Sequence, residues 1–424
     1  MSVELKCDMH IIPIGDDMHI IYAPLHGAAF YVNDKAANAC RSYIMGNRIE
    51  DTAETSPLVR NLRTLESLTV EGPKGKPIDT ASSLVVILSQ MCNLACTYCF
   101  AQESRSKEVL DKEKLRIAID YILAQRSKNK RFSFIGGGEP TITWNLLAWA
   151  ITYIRSRDKK ERPSHIGVTT NGTLLNKERI DFIQSNRVNL NLSFELLPDI
   201  QNTQRCFANP EIRSFDVVNE MIHQLMNRNI TFSFRSTITR LNVKRMEEMV
   251  EFAHSNYPTV HGMHFEPVTA VDNDQEFYDD FTRHFIEALK LGEIYDINVH
   301  CSVSRSLKNI KTRFCGGEFC LTPTGDFVAC HRISSKEDPS FDLFRFAKVD
   351  NHHVTIDETK INGIETFYNA KQEACSSCFV KWHCAGSCSM ERTLYSDQMI
   401  ELKCYFFREL ATKLLIARLG EFKK

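Results

Sequence analysis

Residues 83 to 310 alternate short apolar runs with longer amphipathic ones. The short runs cover 84–89, 132–135, 166–170, 188–194, 231–238 and 263–267. Their length and their β-branched and aromatic content predict strands. Helical spacing of apolar positions lies between them, near 111–126, 143–157, 176–185, 211–228 and 242–256, and again near 274–292. Strict alternation of this kind predicts a parallel sheet with crossover helices. Six units predict an α/β fold built on a partial (β/α)6 TIM-type barrel rather than a full eight-fold one. In such a barrel the chemistry sits at the C-terminal ends of the strands.

The flanks read differently. Residues 9–13 and 19–22 form short extended runs that predict a β-hairpin. Asn33 is placed to cap a helix through 36–44, and a second helical pattern covers 59–65. The stretch 71–77, rich in Gly, Pro and Lys, reads as a linker. These signals predict a small α+β module over 1–82, a barrel over 83–310 and a cysteine-rich domain over 311–424.

A chain of 424 residues, 43% apolar, has room for two to three domains with sizeable cores. Lys and Arg total 52 against 53 for Asp and Glu. This balance predicts neither a nucleic-acid partner nor a membrane surface. The opening residues lack the apolar core of a signal peptide, and runs such as 146–151 are far short of a span. The expected location is the cytoplasm.

Fifteen cysteines change the picture. A reducing compartment disfavours a disulfide framework, and the cysteines are clustered. Cys7, Cys40, Cys206 and Cys301 stand alone and read as ordinary small buried residues. The others fall in two groups that read as metal sites.

The first group is Cys92, Cys96 and Cys99, spaced C-x3-C-x2-C, directly after the first strand run. An iron–sulfur cubane takes four ligands, so three thiolates leave one iron open for a small molecule. The alternative is a zinc knuckle, which needs a fourth ligand nearby. No His or Cys lies between Cys99 and His165. The second group reads Cys315, Cys320, Cys330, then Cys375, Cys378, Cys384, Cys388 and Cys404. Eight thiolates suffice for two fully ligated clusters, or for two zinc sites.

The triplet, with Tyr98 before its last cysteine and Phe100 after it, resembles the cluster loop of the radical S-adenosylmethionine enzymes. Gly136-Gly137-Gly138-Glu139-Pro140 after the second strand strengthens the likeness. So do Asn171 after the third, Ser193 and Arg205 around the fourth, Arg235 on the fifth and Glu266 ending the sixth. The C-terminal array is similar to the SPASM extension of that family. The resemblance implies a [4Fe–4S] cluster on Cys92, Cys96 and Cys99. It implies that S-adenosylmethionine contacts Tyr98, Gly136, Gly137, Gly138, Glu139, Asn171, Ser193, Arg205, Arg235 and Glu266. Three glycines would let backbone approach that ligand closely. One auxiliary cluster would use Cys315, Cys320, Cys330 and Cys388, and another Cys375, Cys378, Cys384 and Cys404.

The chemistry so implied is reductive cleavage to a 5′-deoxyadenosyl radical that takes hydrogen from a peptide. Related enzymes show S-x-D-G-P and H-D-x-x-R after the fourth strand; this chain departs at Glu195, Leu196, Gln201 and Asn202. Within the family the chain resembles maturases of ribosomally made peptides, which leave a carbon–carbon or thioether crosslink. The small first module would be a winged-helix-like unit that takes a leader peptide as an added strand. The expected partners are a precursor peptide with its leader and an electron donor such as a flavodoxin or ferredoxin. The alternative is an anaerobic sulfatase maturase, which makes formylglycine. That enzyme commonly carries an aspartate where this chain has His331, a candidate base. A non-enzymatic iron–sulfur electron carrier is the alternative of another class.

Overall fold

The computed structural model describes residues 8–45, 47, 56–67, 70–102, 105–159, 161–269, 273–350, 352–370 and 373–421. The chain divides into two compact units, neither continuous in sequence. One comprises Lys76–Cys301 and Gly316–Tyr368; the other comprises Met1–Gly75, Ser302–Cys315 and Asn369–Lys424.

The first unit is built on one sheet. Parallel strands Ser83–Val86, Arg131–Phe134, His165–Thr170, Asn189–Ser193, Phe232–Ile238 and Val260–Pro267 follow one another in space as in sequence. A helix follows each of them: Lys112–Ala124, Trp144–Arg157, Lys177–Ser185, Ser214–Met226, Met246–Asn256 and Gln275–Ile294. The helices begin where side chains can accept their unpaired first amides. Asp111 accepts from Glu113 and Lys114, Asn176 from Arg179, and Asp274 from Phe277. The fold is the partial barrel that the alternation predicts.

Two features were not anticipated. A seventh parallel strand, Asn298–His300, pairs with Val260–Pro267. On the opposite side, Cys320–Leu321 adds parallel to the first strand, and Asp326–Val328, Arg345–Asp350 and His353–Ile356 continue antiparallel. The sheet therefore reaches into the cysteine-rich stretch. These strands are two to six residues long, too short to show a period against the surrounding cysteines and glycines.

The two faces of the barrel sheet differ sharply. Leu84, Phe132, Phe134, Val168, Leu192 and Phe234 are buried toward the helices. Their neighbours Ser133, Thr169, Asn191, Ser193, Ser233 and Arg235 face the other way and keep solvent access. A parallel sheet packed on both faces would read as an unbroken apolar run. Alternation here means that the inner face is a polar wall, available to a ligand.

The second unit carries an antiparallel sheet, His10–Gly15, Met18–Ala23 and Ala28–Asn33. The first two strands are the predicted hairpin; the third was not anticipated. The Asn33 side chain accepts from Ala36 and starts helix Asp34–Ile44. Met9, Ile21, Cys40, Leu58 and Leu62 pack together, and Ile12, Ile20 and Tyr22 pack with Leu415 of the long helix Asp397–Glu421. The Tyr22 hydroxyl lies 2.5 Å from His383 Nε2. Residues 70–82 form no helix or strand. Cys7 lies outside the described residues. Among them no cysteine is disulfide-bonded, and no helix is long and apolar enough to cross a membrane.

Candidate functional site

The three-cysteine loop leaves the C-terminal end of the first barrel strand and is seated by backbone. Ala95 donates to the Cys206 carbonyl (2.8 Å), Thr97 donates to the Gln204 carbonyl (3.0 Å), and Leu94 bridges Phe207. Residues 204–207 run from the last residue of the short helix Pro198–Gln204 and serve as a strand-like seat. No motif in the sequence marks them, because the pairing uses backbone and not side chains.

The thiols of Cys92, Cys96 and Cys99 lie within electrostatic reach of one another. Burial pushes the Cys96 thiol up to about 11 and raises Cys92 as well. Bare thiols in this state are protonated at neutral pH, and a bound metal centre is what would make them thiolates. Three thiols on one loop fit a cluster with one open corner. Among the described residues no three His, Cys, Asp or Glu side chains are arranged to hold a single metal ion.

The glycine loop supports this loop directly. Gly138 donates to the Ser89 carbonyl (3.1 Å) and Glu139 to the Met91 carbonyl (2.8 Å). A Cβ on Gly138 would lie 1.9 Å from the Met91 oxygen, and one on Gly137 would lie 2.6 Å from Ile87 Cγ2. Close approach was expected toward a ligand; here it is toward the chain itself, at the base of the cysteine loop. Gly138→Ala is therefore expected to displace residues 89–91. It should cost about 1–3 kcal/mol, as overpacking does, and lower iron incorporation. Iron content equal to wild type would refute this coupling.

Glu139 is 4% exposed, and its carboxylate is already engaged. Oε1 accepts from the Thr141 amide and from the Thr141 and Thr170 hydroxyls; Oε2 accepts from the Asn171 amide at 2.7 Å. What the loop offers a ligand is thus its backbone. The Asn171 side chain donates to Asn93 Oδ1 (3.0 Å), inside the cysteine loop.

Arg205 forms a buried pair with Glu195, Nε to Oε1 at 2.8 Å. Glu195 is fully buried and also accepts from the Tyr98 hydroxyl and the Thr237 amide. Burial pushes the Glu195 carboxyl up, against the pull of Arg205 and Tyr98. Burial likewise holds the Tyr98 phenol well above its ordinary value. The guanidinium lies 5.4 Å from the centre of the Tyr98 ring. The position where this chain departs from the usual aspartate is therefore a pillar under the cysteine loop.

Ser193 and Arg235 are paired in register on adjacent strands, and Arg235 pairs with His264 on the next. His264 Nε2 lies 2.9 Å from Glu266 Oε2. These four occupy the polar wall.

His331 belongs to the same unit. Its amide donates to Glu318 Oε2 (2.6 Å), and its Nδ1 lies 3.0 Å from both oxygens. Burial would raise the Glu318 carboxyl, but His331 outweighs it and holds it low. A Cβ on Gly136 would sit 3.2 Å from the His331 carbonyl. The neighbouring Arg332 lies 5.3 Å over the Phe100 ring. His331 thus lies beside the glycine loop, oriented by a carboxylate that the sequence did not single out.

Of the C-terminal thiols, Cys375, Cys378, Cys384 and Cys404 share the second unit and interact electrostatically. Burial, with Cys404 and Cys378 adding to it, pushes Cys384 up to about 12. Cys315 and Cys388 belong to that unit, whereas Cys320 and Cys330 belong to the first. Cys320 is fully buried, which raises its thiol well above the ordinary value.

Arg105 also escaped the sequence reading. Its Nη1 donates to the Leu94 carbonyl (3.0 Å) and its Nη2 to Cys99 Sγ (3.4 Å). Arginine six positions past a cysteine carries no pattern of its own.

A partial barrel with three thiols at its first strand end and a glycine loop at its second is similar in arrangement to a radical S-adenosylmethionine domain. Residues 86–263 match the model of the radical SAM superfamily, a family of enzymes. The chain is 22% identical over 178 residues to a cysteine-type anaerobic sulfatase-maturating enzyme of Clostridium novyi (strain NT). That match covers 40% of this chain and 47% of the relative. The chain spans about half the length of the curated relatives it matches. Among solved structures, native anSMEcpe with bound AdoMet is similar at TM-score 0.66 and 17% identity, covering 80% of this chain and 99% of that one. SuiB of Streptococcus suis is similar at TM-score 0.51 and 13% identity, covering 90% and 94%. These likenesses concern the fold.

Proposed function

We propose that this chain is a radical S-adenosylmethionine maturase of a ribosomally made peptide. The observation that carries the reading is the coupling of the cysteine loop to the glycine loop above a polar inner barrel wall. Cys92, Cys96 and Cys99 would hold a [4Fe–4S] cluster, and the backbone of Gly136–Gly138 would receive the methionine end of S-adenosylmethionine. Eight C-terminal thiols would hold two auxiliary clusters. When bound, these groups supply hydrogen abstraction from a peptide C–H bond and an acceptor for the electron left on the product.

The chain's own residues do the rest. Asn171 and Glu139 keep the two loops in register, and the Glu195–Arg205 pair supports the cysteine loop from below. Ser193, Arg235 and Glu266 line the wall against which substrate and cofactor would be oriented. His331, held by Glu318, would take the proton released at the modified carbon. Peptide partners are supported by two similar structures, anSMEcpe with a bound Kp18Cys peptide and SuiB bound to the precursor peptide SuiA. The module over 1–82 would bind the leader, and a flavodoxin or ferredoxin would donate electrons in the cytoplasm. A crosslink is the expected product. The sequence likeness to a sulfatase-maturating enzyme favours formylglycine formation as the second reading.

Anaerobic reconstitution should give about twelve irons per chain, four for each of three clusters. Dithionite and S-adenosylmethionine should then release 5′-deoxyadenosine. A short peptide encoded beside this gene, co-expressed and weighed, should lose two hydrogens per crosslink. Conversion of a Ser or Cys to formylglycine would instead support the second reading. Iron without any 5′-deoxyadenosine would leave an electron carrier, and zinc in place of iron would sink both enzymatic readings.

A further inference from the structure

We propose that Arg105 is a positioning residue for the radical cluster: it ties the cysteine loop closed and raises the cluster's reduction potential through an N–H···S bond to Cys99. The inference rests on the reading of Cys92, Cys96 and Cys99 as cluster ligands.

The geometry is that of a clasp. Leu94 lies between the first two cysteines and Cys99 is the third. One guanidinium donates to the carbonyl of the former (3.0 Å) and the sulfur of the latter (3.4 Å). A planar fork with fixed donor directions can hold two acceptors at once, which a lysine ammonium on a flexible stem does less well. The two contacts leave Nε, which is buried and has no acceptor among the described residues.

The charge also stands apart from its neighbours. Arg205 is neutralised by Glu195, and Arg332 rests on the Phe100 ring. Glu139, the carboxylate that acts on Cys92, is covered by its own four donors. Among the described contacts of Arg105 there is no carboxylate. Its positive charge acts on Cys92 in addition to the hydrogen bond to Cys99. Donors and cations at cluster sulfurs stabilise the more negative reduced state and move the potential up.

The test is an anaerobic redox titration of the reconstituted full chain, followed by electron paramagnetic resonance. The radical cluster is recognised as the signal that S-adenosylmethionine perturbs. Arg105→Met should load iron yet titrate at a more negative potential with altered g-values. With a weak reductant, its 5′-deoxyadenosine release should fall about tenfold, the factor that 59 mV gives for one electron, and dithionite should restore it. Arg105→Lys should recover part of the potential. A Met variant with wild-type potential and spectrum overturns the proposal. Should that variant load no iron, Arg105→Gln removes the charge and leaves one amide donor; an unchanged potential there overturns the proposal equally. A wild-type chain that loads no S-adenosylmethionine-sensitive cluster would instead count against the underlying reading.

Discussion

Alanine at Cys92, Cys96 and Cys99 together is expected to abolish release of 5′-deoxyadenosine while about eight of roughly twelve irons remain. The reason lies in the local burial. Cys96 is 8% exposed and its thiol is pushed up to about 11. The remaining irons would sit on the C-terminal thiols. Iron counting, together with chromatography of the nucleoside product, checks both halves. Persistent release would overturn the assignment of the radical cluster, and loss of all iron would mean that the clusters do not assemble independently.

Arg205→Met is expected to cost about 3–5 kcal/mol, because it leaves a buried carboxylate without its partner. Glu195 has no exposed surface, and Arg205 is its sole cationic contact at 2.8 Å among the described ion pairs. The Tyr98 hydroxyl and the Thr237 amide would remain as donors, but neither carries charge. Combining Arg205→Met with Glu195→Gln should return a large part of the loss, since no unpaired charge then stays buried. Urea unfolding of the two variants against wild type measures this. A single-variant loss below about 1 kcal/mol, the range of an exposed pair, would show that the pair is solvated. The loop above should respond too: Thr97 and Ala95 bond to Gln204 and Cys206 on either side of Arg205, so iron uptake should fall with stability.

The strands and helices of the barrel were legible from local pattern because each carries its own period. In Phe232–Ile238, Phe, Phe and Ile alternate with Ser, Arg and Thr. That two-residue rhythm reports both the strand and its polar inner face. The start of a helix was equally readable at Asn33, whose side chain accepts from the Ala36 amide. Spacing alone also marked the three thiols of the cysteine loop as a ligand set, since such sets restrict residue type, whereas the glycine loop was marked only through the family resemblance.

The partners of these residues were not legible. Glu195 with Arg205, Glu318 with His331, and Arg105 with Leu94 and Cys99 are relations between side chains that no period records. The strands of 320–356 escaped for a related reason: they complete a sheet whose first strand lies far earlier in the chain. Which glycine touches ligand and which touches its own chain likewise follows from packing, as the 1.9 Å clash at Gly138 shows. Residue type and spacing are local properties and survive in one dimension. The burial that raises a thiol, pairs a charge or turns a glycine toward Met91 arises only when distant segments exclude water together.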